Sequence, residues 1–243
     1  MKQDHFASLY DFLMEDAPYE SWLSFAERYL VKQGRVLDLA CGTGTFSLML
    51  ARQGFDLTGV DISADMLTVA EGKAREAGVD VDFILQDMRE LQGFQQLDGI
   101  TIFCDGLNYL RQQKDVKQTF FHLATALKTG GVLLFDVHSC FKLEYIFDHQ
   151  LYGENGETLS YLWFSDPADE PLSVQHTLTF FNKKENGDYE RMDEEQYQRT
   201  FEPHVYKQWL EDAGFHNIEI TADFGEKDVE EEDDRIFFKA VKK

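Results

Sequence analysis

The chain reads as an α/β fold: an open, mostly parallel sheet with helices on both faces and a small antiparallel β insertion. Three observations predict it. From Arg35 to Val137, strand-length apolar runs alternate with helical periods over short links. A turn with two glycines, Gly42 and Gly44, joins the first strand directly to a helix. After His138 the alternation stops, and stretches rich in β-branched and aromatic residues follow, separated by turn pairs.

The elements follow in order. Phe6, Leu9, Tyr10, Leu13 and Met14 share one helical face, and Pro18 starts a second helix carrying Trp22, Phe25, Ala26, Tyr29 and Leu30 until Gly34. Arg35–Ala40 is a buried strand, Thr45–Gln53 a helix stopped by Gly54, and Asp56–Asp61 a second strand. Ser63 caps a helix that Gly78 stops. Val81–Leu85 and Leu97–Phe103 are strands, Asp115–Leu127 is a helix, and Val132–Val137 is a fifth strand. Ser139–Gln150 reads as helix. Three strands of the insertion are expected at Thr158–Ser165, Leu172–Asn182 and Tyr189–Thr200, with turns at Asp166-Pro167 and Asn186-Gly187. Pro203–Ala213 is a helix, and Phe215–Ala222 and Arg235–Val241 are the last strands. A single domain is expected over 1–243: cap helices at 1–33, a ligand-binding core at 34–140, a helix and β insertion at 141–201, and a C-terminal helix and hairpin at 202–243.

The 243 residues carry 23 Lys and Arg against 45 Asp and Glu, a net charge of −22. That sign repels phosphate backbones and anionic lipid, so nucleic acid and membrane surfaces are disfavoured as partners. The excess is uneven: residues 1–140 hold 20 acids and 12 bases, and residues 141–243 hold 25 and 11. Glu226–Asp234 alone has seven acids and one lysine, which reads as a solvated loop or as a site for a cation or basic partner. Cys41, Cys104 and Cys140 lack metal-ligand spacing, so no metal is expected and the cysteines read as reduced. Met1–Tyr10 lacks an apolar signal-length run, and no stretch approaches roughly 18 apolar residues. A cytoplasmic protein, monomer or homodimer, is the expectation.

The chemistry concentrates in Val36-Leu-Asp-Leu-Ala-Cys-Gly-Thr-Gly-Thr-Phe-Ser47. Two glycines allow a tight turn and close ligand approach, and the following helix offers free N–H groups to an anion. A dinucleotide loop would carry a third glycine where this chain has Ser47, and a P-loop would need Gly-Lys-Ser/Thr. Asp38 sits badly beside a pyrophosphate. It suits a ligand with both a carboxylate and an ammonium, the amino-acid end of S-adenosylmethionine. Asp61 ends the second strand, nineteen residues after Gly42, where an acid can accept from both ribose hydroxyls. Asp87 follows the third strand and can accept from an adenine amino group.

These pieces resemble the class I S-adenosylmethionine-dependent methyltransferases. The matching stretches are Val36–Gly44, Gly59–Ser63 with Met66-Leu67, Gln86-Asp87-Met88 and Leu127–Asp136, in family order across about residues 35–140. The resemblance implies a Rossmann-like sheet of seven strands, with Phe215–Ala222 and Arg235–Val241 as an antiparallel edge hairpin. It implies S-adenosylmethionine as cofactor. Gly42 and Gly44 would approach its methionine part, Asp38 its amino group, Asp61 its ribose with Ile62 and Met66 alongside, and Asp87 and Met88 its adenine. The backbone at Cys104 would face the methionine end. Leu9–Met14 with Pro18–Trp22 looks like a small bacterial subgroup whose leading helices cover the cofactor, which would bring Tyr10 to it.

The stretch Cys104-Asp-Gly-Leu-Asn-Tyr109 lacks the prolines of the Asn/Asp-Pro-Pro-Tyr motif found in many nucleobase and protein amine methylators. A small-molecule acceptor is therefore expected, with transfer RNA or protein as the alternative. Asn108 and Tyr109 are candidate acceptor contacts, and His138, just after the fifth strand, is the candidate general base. The competing functions are a nicotinamide-dependent oxidoreductase and a non-catalytic cofactor-binding module.

Overall fold

Two amphipathic helices lead the chain, α1 (Asp4–Leu13) and α2 (Tyr19–Tyr29), in a computed structural model that describes residues 4–243, with the backbone alone for Asp4, His5 and Ser8. The reading of the leading segment falls partly on residues 1–3, outside the described residues. Alternation follows: β1 (Arg35–Leu39), α3 (Thr45–Arg52), β2 (Asp56–Asp61), α4 (Ala64–Ala77), β3 (Asp82–Leu85), β4 (Leu97–Ile102), α5 (Gln113–Ala126) and β5 (Leu127–His138). The chain then leaves the core for β6 (Gln150–Asn155), β7 (Leu159–Pro167), β8 (Ser173–Lys183) and β9 (Tyr189–Arg199). It returns through α6 (Pro203–Asp212), β10 (Phe215–Thr221) and β11 (Arg235–Lys242).

The core sheet has seven strands in the order β10-β11-β5-β4-β1-β2-β3. Neighbours from β5 to β3 pair parallel; β11 pairs antiparallel with both β5 and β10. Both faces are covered, which is why β1 is buried at every position after Arg35. Successive side chains on a strand point to opposite faces. On β11, Phe238 stacks on Phe135 with ring centroids 4.6 Å apart, in the cluster that includes Phe120 and Tyr206. Its neighbour Phe237 packs on the other face with Trp22, Phe25 and Phe46.

The insertion is a second, antiparallel sheet in the order β6-β7-β8-β9. It has four strands rather than three. The expected helix over 139–150 is cut to one wide turn at Lys142–Ile146, and β6 begins at Gln150. Gln150-Leu-Tyr-Gly-Glu-Asn155 has no apolar alternation of its own, and its pairing is supplied by β7 as an edge ladder. The inner face of this sheet, including Leu159, Leu178 and Phe180, packs against Leu9, Phe6 and Phe12 of α1. The first helix is thus held between the insertion and the core. The acidic run lies in the exposed link between β10 and β11, where Lys227 pairs with Glu230 and Asp233.

Candidate active site

The turn after β1 is built on backbone that few side chains tolerate. Ala40, Gly42 and Gly44 all have positive φ, at 57°, 54° and 74°. Gly44 is the N-cap of α3, and a Cβ there would lie 2.8 Å from Ala70 Cβ and 3.0 Å from Phe83 Cζ. It therefore lets α3 settle onto α4 and β3. Gly42 differs: an added Cβ would meet only Tyr10 Cε1, at 3.9 Å, so its backbone borders open cavity. Ser47, at the third-glycine position, is fully buried and donates to Asp38 Oδ2 at 2.5 Å, while Thr101 donates to Asp38 Oδ1 at 2.9 Å. Burial raises the Asp38 pKa to about 6 despite those bonds.

Asp61 closes the turn from the next strand. Its Oδ2 accepts from the Gly42 N–H and its Oδ1 from the Ser63 N–H, each at 2.8 Å. A carboxylate has about four lone-pair sites, which leaves it accepting capacity beyond these bonds and the Ile62 N–H that also favours its charge. One strand further on, Asp87 caps the turn at Met88–Glu90 and accepts from Arg89, whose Nε lies 2.9 Å from Oδ2. That arginine holds the Asp87 carboxyl below its ordinary range. Two cavities run along these strand ends. One, of about 380 Å³, is lined by Gln86, Asp87 and Met88. The other, of about 440 Å³, is lined by Tyr10, Asp38, Gly42, Met66 and Cys104. Asp61, Ile62 and Met88 line both, which makes one trough along the carboxyl ends of β1–β4.

The trough fits an adenosine joined to an amino acid. Asp61 offers two oxygens for a diol, Met66, Met88 and Ile62 supply apolar flanks, and open space borders Gly42. It does not suit a pyrophosphate, because Asp38 lines it and Asp11 stands against the loop at Thr43.

The cap helix is tied over this loop. Asp11 accepts from Thr43 Oγ1 at 2.5 Å and pairs with Lys73 of α4 at 2.9 Å, and Lys73 also donates to Thr45 Oγ1 at 2.5 Å. Partly exposed pairs of this kind contribute about 0.2–1 kcal/mol each. Lys73→Met is expected to weaken S-adenosylhomocysteine binding by about 2- to 5-fold, measured by calorimetry, through faster release as α1 loosens.

A third cavity, of about 280 Å³, lies beyond the trough, between the core and the inner face of the insertion. Tyr10, Cys104 and Tyr109 border both spaces. Its walls include Phe147, Tyr161 and Trp163, and its polar side holds Asp105, His138, Lys142 and Arg235. Cys104 and Asp105 have φ of 53° and 55°, a strained pair of the kind that clusters at functional sites. Burial pushes the Cys104 thiol well up, so it stays protonated. Burial also opposes ionisation of Asp105, but the hydrogen bond from His138 and the charges of Arg235 and Lys142 outweigh it and hold the carboxyl far below its usual range.

Tyr10, Asp38, Gly42, Asp61, Ile62, Met66, Asp87, Met88 and Cys104 all line the trough, and Gly44 shapes it from behind. His138 and Tyr109 line the cavity beyond. Asn108 does not reach it. Its amide is spent on backbone, accepting from the His138 N–H at 3.0 Å and donating to the Arg199 carbonyl at 2.8 Å, so it braces the site from beneath instead of contacting an acceptor. Sequence reasoning missed Asp105, although it follows the fourth strand just as Asp61 follows the second. It also missed Lys73, His176, Gln198 and Arg235, which carry no local signal because distant elements bring them together. Among the described residues no cluster of three or more His, Cys, Asp or Glu could hold a metal ion.

The model of a family described as "Methyltransferase domain" matches residues 36–131. A Geobacillus sp. (strain WCH70) protein, provisionally named a methyltransferase, is 46% identical over the full length of both chains. Bacillus subtilis (strain 168) YqeM, also provisionally named a methyltransferase, is 44% identical over 98% of this chain and 96% of its own. The crystal structure of an S-adenosylmethionine-dependent methyltransferase from Clostridium acetobutylicum superposes with a TM-score of 0.87 at 30% identity, covering 98% of this chain and 97% of that one.

Proposed function

The chain belongs to the class I S-adenosylmethionine-dependent methyltransferases, and from that premise we propose that it methylates a small molecule, by in-line transfer, in the cavity beneath the insertion. That membership sets aside the nicotinamide-dependent alternative. The observation that carries the proposal is a walled cavity of about 280 Å³ that shares Tyr10, Cys104 and Tyr109 with the trough. A space of that size takes a compact molecule. The net charge of −22 argues against a polyanionic acceptor.

S-adenosylmethionine supplies a methyl group on a cationic sulfur, so the protein's task is placement more than activation. In this reading Asp61 holds the ribose, Asp87 and Met88 the adenine, and Asp38 with the Gly42 turn the amino-acid end. Tyr10 and α1 cover the trough and exclude water. Tyr109, whose hydroxyl donates to Gln196 of β9 at 3.1 Å, holds the insertion to the rim. His138 is the candidate base. The three free cysteines suit a cytoplasmic setting.

Incubation with S-adenosylmethionine and a panel of small alcohols, phenols and amines, beside transfer RNA and protein, tests the reading through release of S-adenosylhomocysteine. Turnover of a small molecule is the expected result. Turnover of RNA or protein alone would overturn the acceptor, and cofactor binding without any turnover would favour a non-catalytic module.

A further inference from the structure

A hydrogen-bond chain fixes the proton positions at the polar side of the acceptor cavity. It starts at Trp163 on β7, whose indole N–H can only donate. That N–H lies 3.0 Å from His176 Nδ1, so Nδ1 is bare. Burial pushes the His176 pKa down to about 4. The ring is neutral and carries its hydrogen on Nε2, which lies 3.3 Å from Gln198 Oε1. The amide of Gln198 is oriented by its other end, which donates to Asp105 Oδ2 at 2.7 Å. Arg235 anchors Asp105 from the far side, donating to Oδ1 at 3.0 Å.

His138 meets this chain with Nε2, 3.1 Å from Gln198 Oε1 and 3.4 Å from Asp105 Oδ2. Both neighbours accept, so the hydrogen of His138 is on Nε2. Its Nδ1 is buried without a hydrogen-bond partner, in a ring only 4% exposed that lines the cavity. Burial lowers the pKa of the ring, which keeps Nδ1 an unprotonated lone pair near neutral pH. The charged and titratable groups facing His138 are Asp105 after β4, Lys142 after β5, His176 on β8 and Arg235 on β11. An orphaned buried acceptor is costly unless a ligand supplies the donor.

Building on the methyl-transfer reading, we propose that the acceptor is a compact hydroxyl compound whose O–H donates to His138 Nδ1, with Trp163, His176 and Gln198 as positioning residues that fix the tautomer. A neutral amine needs no base while it attacks, because its lone pair is already free. A hydroxyl must shed its proton as the new bond forms. On the polar side Arg235 is engaged by Asp105 and Asp136, and Lys142, 3.7 Å from the exposed Asp234, is the cation that can favour negative charge developing on oxygen. The aromatic walls suit a flat, phenol-like skeleton. The hydroxyl oxygen forms the O–CH₃ bond, the S–CH₃ bond breaks with its electron pair onto the sulfonium sulfur, and the hydroxyl proton passes to Nδ1 and then to solvent.

The test is ¹⁵N NMR of the histidine rings in the full chain saturated with S-adenosylhomocysteine, with phenol as probe and toluene as the isostere lacking a hydroxyl. His138 is expected as the neutral Nε2–H form at pH 7, with its Nδ1 resonance moved by phenol and unmoved by toluene. Trp163→Phe should mix the tautomers at His176 and His138 while leaving S-adenosylhomocysteine affinity within about 2-fold. A hydrogen on Nδ1 in the wild-type protein, an Nδ1 resonance unmoved by saturating phenol, or unchanged tautomers in Trp163→Phe would overturn the inference. Calorimetry with S-adenosylhomocysteine is read separately, so a failure of the cofactor reading is distinguishable. If Trp163→Phe does not fold, His176→Phe breaks the chain at its next link and is read in the same way.

Discussion

Asp61→Ala is expected to weaken S-adenosylhomocysteine binding by about 30- to 300-fold. Hydrogen bonds to a charged group contribute roughly 1.5–3 kcal/mol each, and losing two of them with partial replacement by water leaves a deficit of about 2–3.5 kcal/mol. The carboxylate also holds the Gly42 and Ser63 N–H groups at 2.8 Å, so its removal loosens the turn that borders the cofactor. Asp61→Asn is no conservative change here. One oxygen becomes an NH₂ group facing a backbone N–H, and a loss of affinity comparable to that of alanine is expected. Calorimetry reads the effect directly. Thermal unfolding of the free protein should change far less than affinity, because burial already disfavours the ionised Asp61 and water in the trough can serve the two N–H groups. Affinity within 3-fold of wild type would remove Asp61 from the ribose.

Gly44→Ala is expected to act on the fold and the site together. Its φ of 74° costs an L side chain about 1–2 kcal/mol, and the added methyl would meet Ala70 Cβ at 2.8 Å and the Phe83 ring at 3.0 Å. Overpacking of that kind costs about 1–3 kcal/mol more. The sum, roughly 2–5 kcal/mol, corresponds to a fall in Tm of about 5–20 °C for a chain of this size. Gly54→Ala makes a useful contrast. It too has positive φ, at 89°, but no atom within 4 Å of an added Cβ. It should show only the conformational cost, a fall of a few degrees, with cofactor affinity unchanged. Equal losses in the two variants would show that packing of α3 on α4 and β3 is not what Gly44 provides.

How far the sequence could be read follows from the range of the signals. The glycine turn, Asp38, Asp61 and Asp87 each sit within a few residues of a strand's end, so the order of strands and turns places them without tertiary knowledge. The parallel strands β1–β5 were legible for the same reason, from their alternation with helices except between β3 and β4, and the count of seven strands was implied by the family resemblance. The second sheet was legible only where strands carry their own alternation. β6 does not, and pairing with β7 makes it a strand. Asn108 was misplaced because a polar residue after a strand end looks alike whether it faces a cavity or braces backbone. The chain from Trp163 to Arg235 could not be seen at all: its members come from β7, β8, β9, the turn after β4 and β11. Ser47 stands where a dinucleotide loop has its third glycine. It is the hydroxyl that orients Asp38.

The most direct test of the account is a crystal structure of the protein with S-adenosylhomocysteine. The adenine is expected beside Asp87 and Met88, the ribose hydroxyls on Asp61, and the amino-acid end at Gly42 and Asp38. The sulfur should lie where Tyr10, Cys104 and Tyr109 open into the cavity that His138 lines. A ligand bound with its sulfur turned away from that cavity, or with its ribose away from Asp61, would contradict the account.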